Sequence, residues 1–420
     1  MESSRTFLRK ILPILGLSLA IFAQDAFAQA QGKKAAVGAS TNGTAGQATY
    51  EGKKRQLSDI AVTIVTSGIT CTCARFAEDI RDVVNDLRPD GLRVLPVMGV
   101  GGLQTMDDVL FLKGMDMGVV DEDNLRLLKK RDPRLYATVE QRVQYITKLY
   151  NNEFHILARK EIQNIADLRG KRVSFNLKDS QSEVTADAIF EALKIQVERV
   201  NYDNNLALKK LKDNDIQAMI VVSAAPQSAL ARVKKEDGFH LLALDEKSSP
   251  GQDLTTLFED YLPAKLTSEQ YPALIEKGAS VPTVANKALL VAYNWGEGTP
   301  QYKRLAKFVE TFFDRIQQFH DDSRHPKWKE VNLAAEVPGW IRFKPAADWL
   351  ARYKTALAST TSTSTQDLQN DANLKRLFAQ FVENYTASTG RKVITSQDQE
   401  MLFTKFREML QSQVTNKATR

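Results

Sequence analysis

A chain of 420 residues exceeds what one ordinary core covers, so two domains are expected. Hydrophobic residues make up 43% and charged residues 26%, a globular composition that excludes a disordered or fibrous chain. The net charge of +6 comes without any Lys/Arg-rich block interleaved with aromatics, which excludes nucleic acid as a partner and favours anionic ligands only weakly.

The N-terminus opens on a basic stretch, "MESSRTFLRK", followed by the 13-residue apolar run "ILPILGLSLAIFA", too short to span a bilayer. "AFAQA" then offers A-x-A cleavage sites after Ala28 or Ala30. Residues 1–28 read as a secretory signal peptide, so a periplasmic location is expected for the mature chain. Residues 29–57 are small, polar and without period, and read as a flexible leader.

From residue 58 strands and helices alternate. "AVTIVT" is a β-branched strand, and "ARFAEDIRDVVNDL" carries Phe76, Ile80, Val83, Val84 and Leu87 at helical spacing. "LRVLPVMG" is a second strand, "LQTMDDVLFLKG" a helix and "MDMGVVD" a short third strand. "VQYITKLYNNEFHILARK" reads as one or two strands, and "IADLRGKRVSFN" as a turn and a strand. Helix "VTADAIFEALKI", strand "VERVNY", helix "NLALKKLKDN" and strand "IQAMIVVS" follow. Alternation of this kind predicts α/β domains with largely parallel sheets. Beyond residue 246 come a strand, "VANKALLVAYN", and a long amphipathic helix, "TPQYKRLAKFVETFFDRIQQF". Residues 355–420 read as a Ser/Thr linker and a small helical extension, with Leu377, Phe378, Phe381, Met401, Leu402, Phe403 and Phe406 as its apolar positions.

Three strand–helix loops share one chemistry. In α/β sheets ligands bind beyond the carboxyl ends of strands, where helix N-termini offer free N–H groups. The first loop contributes Ser67, Gly68, Thr70, Cys71, Thr72 and Cys73, the second Gly101 and Gly102, and the third Ser180, Gln181 and Ser182. Ser182 is placed to cap its helix. Two loops fall in one lobe and the third in another, so a ligand held between lobes meets helix N-termini from both sides. That geometry suits a carboxylate-bearing small molecule.

The only two cysteines, Cys71 and Cys73, also permit thiol or disulfide chemistry, although C-x-C is not the C-x-x-C of thioredoxin-like proteins. Four scattered histidines do not make a metal site, and no G-x-S-x-G elbow or Walker loop occurs. "HDDSRHP" at 320–326 reads as the solvated loop after a long helix. No cofactor is expected.

The order of motifs resembles the TAXI class of solute-binding proteins of tripartite ATP-independent periplasmic (TRAP) transporters. "IADLRGKRVSFNLKDSQSEVTADAIFEALKI" carries Asp167, Leu168, Gly170, Lys171, Val173, Ser180 and Ala186 of that pattern. "LFLKGMDMGVVDED" matches at Asp116, Gly118, Val120 and Asp123, and "LKKLKDNDIQAMIVVSAAP" at Leu211, Ala218 and Pro226. The resemblance spans about residues 59–345. It implies a two-lobe, type II-like periplasmic-binding-protein fold with a hinge: lobe 1 from 58–150 and 246–354, lobe 2 from 151–245. It further implies capture of a carboxylated or polar organic solute, delivery to the permease subunits of a TRAP transporter, and no catalysis. The ligand loops depart from the family: Cys71 and Cys73 replace a glycine and an aromatic, and Asp121 replaces a glutamine. These departures argue against borrowing the family's ligand. The rival reading is a periplasmic binding protein that senses a ligand and acts on a protein partner through the C-terminal helices.

Overall fold

The computed structural model describes residues 49–360 apart from 87, 89, 90, 250 and 252, together with 378, 379 and 382. A helix α1 (Tyr50–Ile60) leads into β1 (Ala61–Thr66), α2 (Thr72–Val84), β2 (Arg93–Met98), α3 (Gly102–Phe111), β3 (Met117–Asp121), α4 (Asn124–Arg131) and α5 (Val139–Arg142). A long strand β4 (Val143–Arg159) follows, then β5 (Arg172–Ser174), α6 (Gln181–Ala192), β6 (Glu198–Val200), α7 (Asn204–Lys212), β7 (Ala218–Ser223) and β8 (Phe239–Leu241). The chain continues through α8 (Thr255–Asp260), β9 (Leu262–Thr267), a second long strand β10 (Ser280–Tyr293), α9 (Pro300–Asp314) and α10 (Lys344–Thr360).

The strands follow the order β2-β1-β3-β10-β4-β7-β5-β6, with β8 beside β4 and β9 beside β10. Strands β1, β2 and β3 are parallel to one another, as are β5, β6 and β7. The two parallel sets are joined by the antiparallel pair β4 and β10. Strand β4 pairs with β10 over its first part and with β7 over residues 153–158. Strand β10 pairs with β9 at its start and with β3 at its end. Each long strand therefore runs from one half of the sheet into the other.

Both faces of the inner strands β3 and β7 are covered, so their sequences read as near-continuous apolar runs. In β7, Ala218, Ile220 and Val222 enter one core while Met219 and Val221 enter the core on the opposite face. The first half has its own pair of cores. One gathers Ile64, Phe76, Ile80, Phe308, Phe312 and Trp328. The other gathers Leu103, Met106, Val120, Leu128 and Leu289.

Three expectations change. Residues 50–57, assigned to the flexible leader, form most of α1, a helix with no buried residue. Its Glu, Lys, Arg, Gln and Leu are strong helix formers, and a helix that is polar on all sides leaves no apolar period to read. Residues 246–284, assigned to the return part of the first lobe, pack with the second half. Leu254, Leu257, Tyr261 and Val284 join its core on one face, and Leu266 and Tyr271 on the other. The chain crosses back within β10, where pairing passes from β9 to β3. The solvated loop at 320–326 is exposed at Asp321–Ser323, but Arg324 reaches back to Asp79 Oδ1 at 3.2 Å and His325 caps the turn Pro326–Glu330. Of the C-terminal extension, Phe378 and Val382 pack against the first half's core, and the other positions named for it lie outside the described residues. Among the described residues no helix is long and apolar enough to cross a membrane.

Candidate functional site

The carboxyl ends of all six parallel strands point into one cavity of about 90 Å³. Ser67 follows β1, Gly101 follows β2 and Asp121 ends β3. From the other half come Asn176 after β5, Asn204 after β6 and Ser223 at the end of β7. This is where an α/β sheet leaves its helix N-termini and loop backbone free to meet a ligand.

Of the first loop, Ser67, Gly68, Thr70, Cys71 and Cys73 line the cavity. Gly101 and Gly102 of the second loop, Asp121, and Ser180, Gln181 and Ser182 of the third line it too. Thr72 and Pro226 do not; Thr72 instead joins the two halves, its Oγ1 lying 3.3 Å from both Ser223 Oγ and the Ala224 carbonyl. The sequence reading missed Asn152, Asn176, Asn204 and Ser223 in the lining. One signal was present for Asn152: the polar triplet Asn151-Asn152-Glu153 is the longest polar run in a strand of 17 residues.

The first loop is closed by its own groups. Cys71 and Cys73 form a disulfide, which settles a pairing the sequence left open. Cys71 is the N-cap of α2, and its sulfur accepts from the Cys73 N–H at 3.1 Å. Cys73 Sγ accepts from the Ser67 N–H at 3.2 Å, and the Cys71 N–H donates to the Gly68 carbonyl at 2.9 Å. The N–H groups of Ser67, Cys71 and Cys73 are thus occupied within the loop.

Gly101 and Gly102 hold φ of +91° and +56°, a region that side chains rarely enter. A Cβ on Gly102 would stand 2.6 Å from the Gln181 nitrogen and 2.7 Å from the Ser180 carbonyl carbon, so α3 of the first half starts against α6 of the second. The cap of α6 is Ser180, which accepts from the Glu183 N–H, and not Ser182 as expected; Ser182 Oγ lies inside the first turn and accepts from the Val222 N–H at 2.9 Å, fixing that helix to β7.

The cavity wall at β3 and β4 is polar and buried. Asp121 is 2% exposed and Asn152 7%. Asn152 Nδ2 donates to Asp121 Oδ1 at 2.7 Å. Burial, with Asp123 nearby, raises the Asp121 carboxyl well above the usual carboxylate range. Asp123 sits behind it and accepts from Gln181 Nε2 at 3.1 Å; burial pushes its carboxyl up to about 6.

Contacts between the halves gather in two places, on the first loop and around Asp123 and α4, where Arg126 pairs with Asp260 and Lys130 with Glu191. The Thr70 carbonyl accepts from Gln227 Nε2 at 3.1 Å, and Thr70 Oγ1 accepts from Asn204 Nδ2 at 3.2 Å. Further out, Arg131 pairs with Asp179 at 3.2 Å. Among the described residues no group of three or more His, Cys, Asp or Glu is placed to hold a metal ion.

Two parallel α/β half-sheets, joined by shared antiparallel strands and facing one cavity, define the two-lobe class of periplasmic-binding-protein folds. The chain belongs to the NMT1-like family, whose model matches residues 115–337, just over half of the chain. It is also similar to solved binding proteins at low identity. A mutant of ArgBP from T. maritima matches at 13% identity over 66% of this chain and 99% of that chain, with a TM-score of 0.40. Periplasmic binding protein BugD matches at 14% identity over 64% and 85%, with a TM-score of 0.39. Periplasmic aliphatic sulphonate binding protein SsuA from Escherichia coli matches at 13% identity over 81% and 91%, with a TM-score of 0.36.

Proposed function

We propose that this chain captures a small polar organic solute between its two halves in the periplasm and presents the closed form to the membrane permease of a TRAP-type transporter, with no bond-making step of its own. The observation that carries this reading is the single cavity at which the carboxyl ends of all six parallel strands converge. Strands β4 and β10 are the natural hinge, because they alone of the long elements belong to both halves. The bonds from Thr70 and Thr72 to Gln227, Asn204, Ser223 and Ala224 are the contacts that closure makes. Membership of the NMT1-like family and the motif order shared with TAXI proteins support the transport role. The disulfide-bonded loop is part of the pocket wall in this reading rather than a redox centre.

Native mass spectrometry of the purified full chain tests the capture step. A small molecule released on denaturation, or a rise in melting temperature with a member of a panel of carboxylates, amines and polyols, is expected. An empty protein that no member of the panel stabilises would sink the reading. For the permease, co-purification of the closed, ligand-loaded chain with TRAP membrane subunits is expected, and retention by an ABC importer's subunits instead would reassign the partner.

A further inference from the structure

We propose that the solute taken by this cavity is a small organic ammonium ion, seated with its N–H donors on Asp121, Asn152 and Gln181; this rests on the solute-binding reading above.

Three buried oxygens on the lining residues have no hydrogen-bond partner among the described residues: Asp121 Oδ2, Asn152 Oδ1 and Gln181 Oε1. Buried polar atoms are normally paired, and here three unpaired ones belong to residues lining the same cavity. All three are acceptors, and their orientation is not arbitrary. Asn152 must turn its Nδ2 toward the Asp121 carboxylate, and Gln181 must turn its Nε2 toward Asp123 and Thr185 Oγ1. The neighbouring carboxylates take the amide N–H groups and leave the amide oxygens over.

The charge count agrees. The lining includes Asp121 and Asp203 but neither Lys, Arg nor His. Asp203 is already used as the N-cap of α7, accepting from the Asn205 and Leu206 N–H groups. Asp121 is the carboxylate left without a compensating cation. An anionic solute would disfavour the ionised form of Asp121 further, whereas a cationic one would stabilise it. At the start of α2 the Cys73 N–H is taken by the Cys71 sulfur, and at the start of α6 the Glu183 N–H is taken by Ser180 Oγ. An ammonium group supplies both the missing charge and up to three donors for three acceptors. A solute of a few heavy atoms fits a cavity of about 90 Å³, smaller than the roughly 150 Å³ that holds benzene.

The test uses the full chain and three probes of matched size: ethanolamine, ethylene glycol and glycolate. Calorimetry at pH 8 is expected to give ethanolamine at least tenfold tighter than glycolate, and Asp121→Asn is expected to remove that preference. Equal or tighter glycolate binding, or ethanolamine binding indifferent to Asp121→Asn, overturns the proposal. Should the variant not fold, the wild-type chain decides the matter through pH. Asp121 is faced by Asp123 and Glu122 from the following turn and by Asn152 and Tyr150 from β4. Protonating it removes the counter-charge, so ethanolamine binding is expected to weaken at least tenfold between pH 8 and pH 5, and a flat profile counts as refutation. If no probe binds, the molecule released on denaturation decides. One bearing an amine supports the inference. One without an amine refutes it and leaves solute binding standing, and the absence of any molecule removes both.

Discussion

At residue scale, the most exacting position outside the cavity is Lys327. Its Nζ lies 2.6 Å from Glu153 Oε1 and 3.1 Å from Glu330 Oε2, with the Lys327 and Glu153 side chains 8% and 7% exposed. Removing one partner of such a pair strands the other charge out of water. Lys327→Met is expected to cost about 3–5 kcal/mol in urea unfolding. The double variant with Glu153→Gln should recover much of it. Asp123 gives a pH signature. Its folded carboxyl titrates near 6 through burial, whereas an unfolded aspartate titrates near 3.9. Between those values the folded chain holds a proton that the unfolded chain has lost. This group's contribution to stability therefore falls as pH rises through the window, by about 2–3 kcal/mol in all. Asp123→Asn should flatten that part of the stability profile, and an unchanged slope would remove Asp123 as its source. Asp121 comes into view only through the resemblance, as a departure from its pattern, and the sequence reading places the cap of α6 two residues late, on Ser182 instead of Ser180, because serines flank Gln181 on both sides. Asn152 escaped because an asparagine inside a strand reads as a turn residue, and only the distant β3 makes it part of a wall.

At the scale of elements, the junction of α3 and α6 sets how near the halves can come. Gly102 combines a positive φ with backbone atoms of Ser180 and Gln181 inside the volume a methyl group would fill. Gly102→Ala should cost about 1–3 kcal/mol. It should also hold the halves apart, seen as a larger radius of gyration in X-ray scattering with the solute present. A variant that closes normally would show that the contact is slack. Most strands and helices from β1 to β7, together with β10 and α9, were readable because buried strands are apolar and amphipathic helices carry a stripe, whereas the short elements α4, α5, β8, α8 and β9 and the helix α10 were not. Nor were the polar helix α1 and the placement of residues 246–284. A helix that buries nothing leaves no pattern, and which half a segment joins depends on β9 finding β10, a pairing between strands that no short motif encodes.

At the scale of the whole molecule, the halves share two strands rather than a flexible link. Residues 143–148 of β4 lie beside the end of β10, and residues 153–158 beside β7. Melting one half removes edges that the other half needs. Heat unfolding followed by circular dichroism and by tryptophan fluorescence is therefore expected to give one coincident transition for both probes, and two separated transitions would show the halves to be independent. The same sharing fixes an order of events during synthesis. Strand β10 is the neighbour of both β3 and β4, and it becomes available only after residue 293 has been made. The first half also waits for Phe308, Phe312 and Trp328 to fill its core. Neither β3 nor β4 can complete its pairing while the chain is still being elongated toward these residues, so folding is late and dominated by contacts distant in sequence, the slow end of the range. A chain whose first half waits for Trp328 stays without a finished core through most of its synthesis.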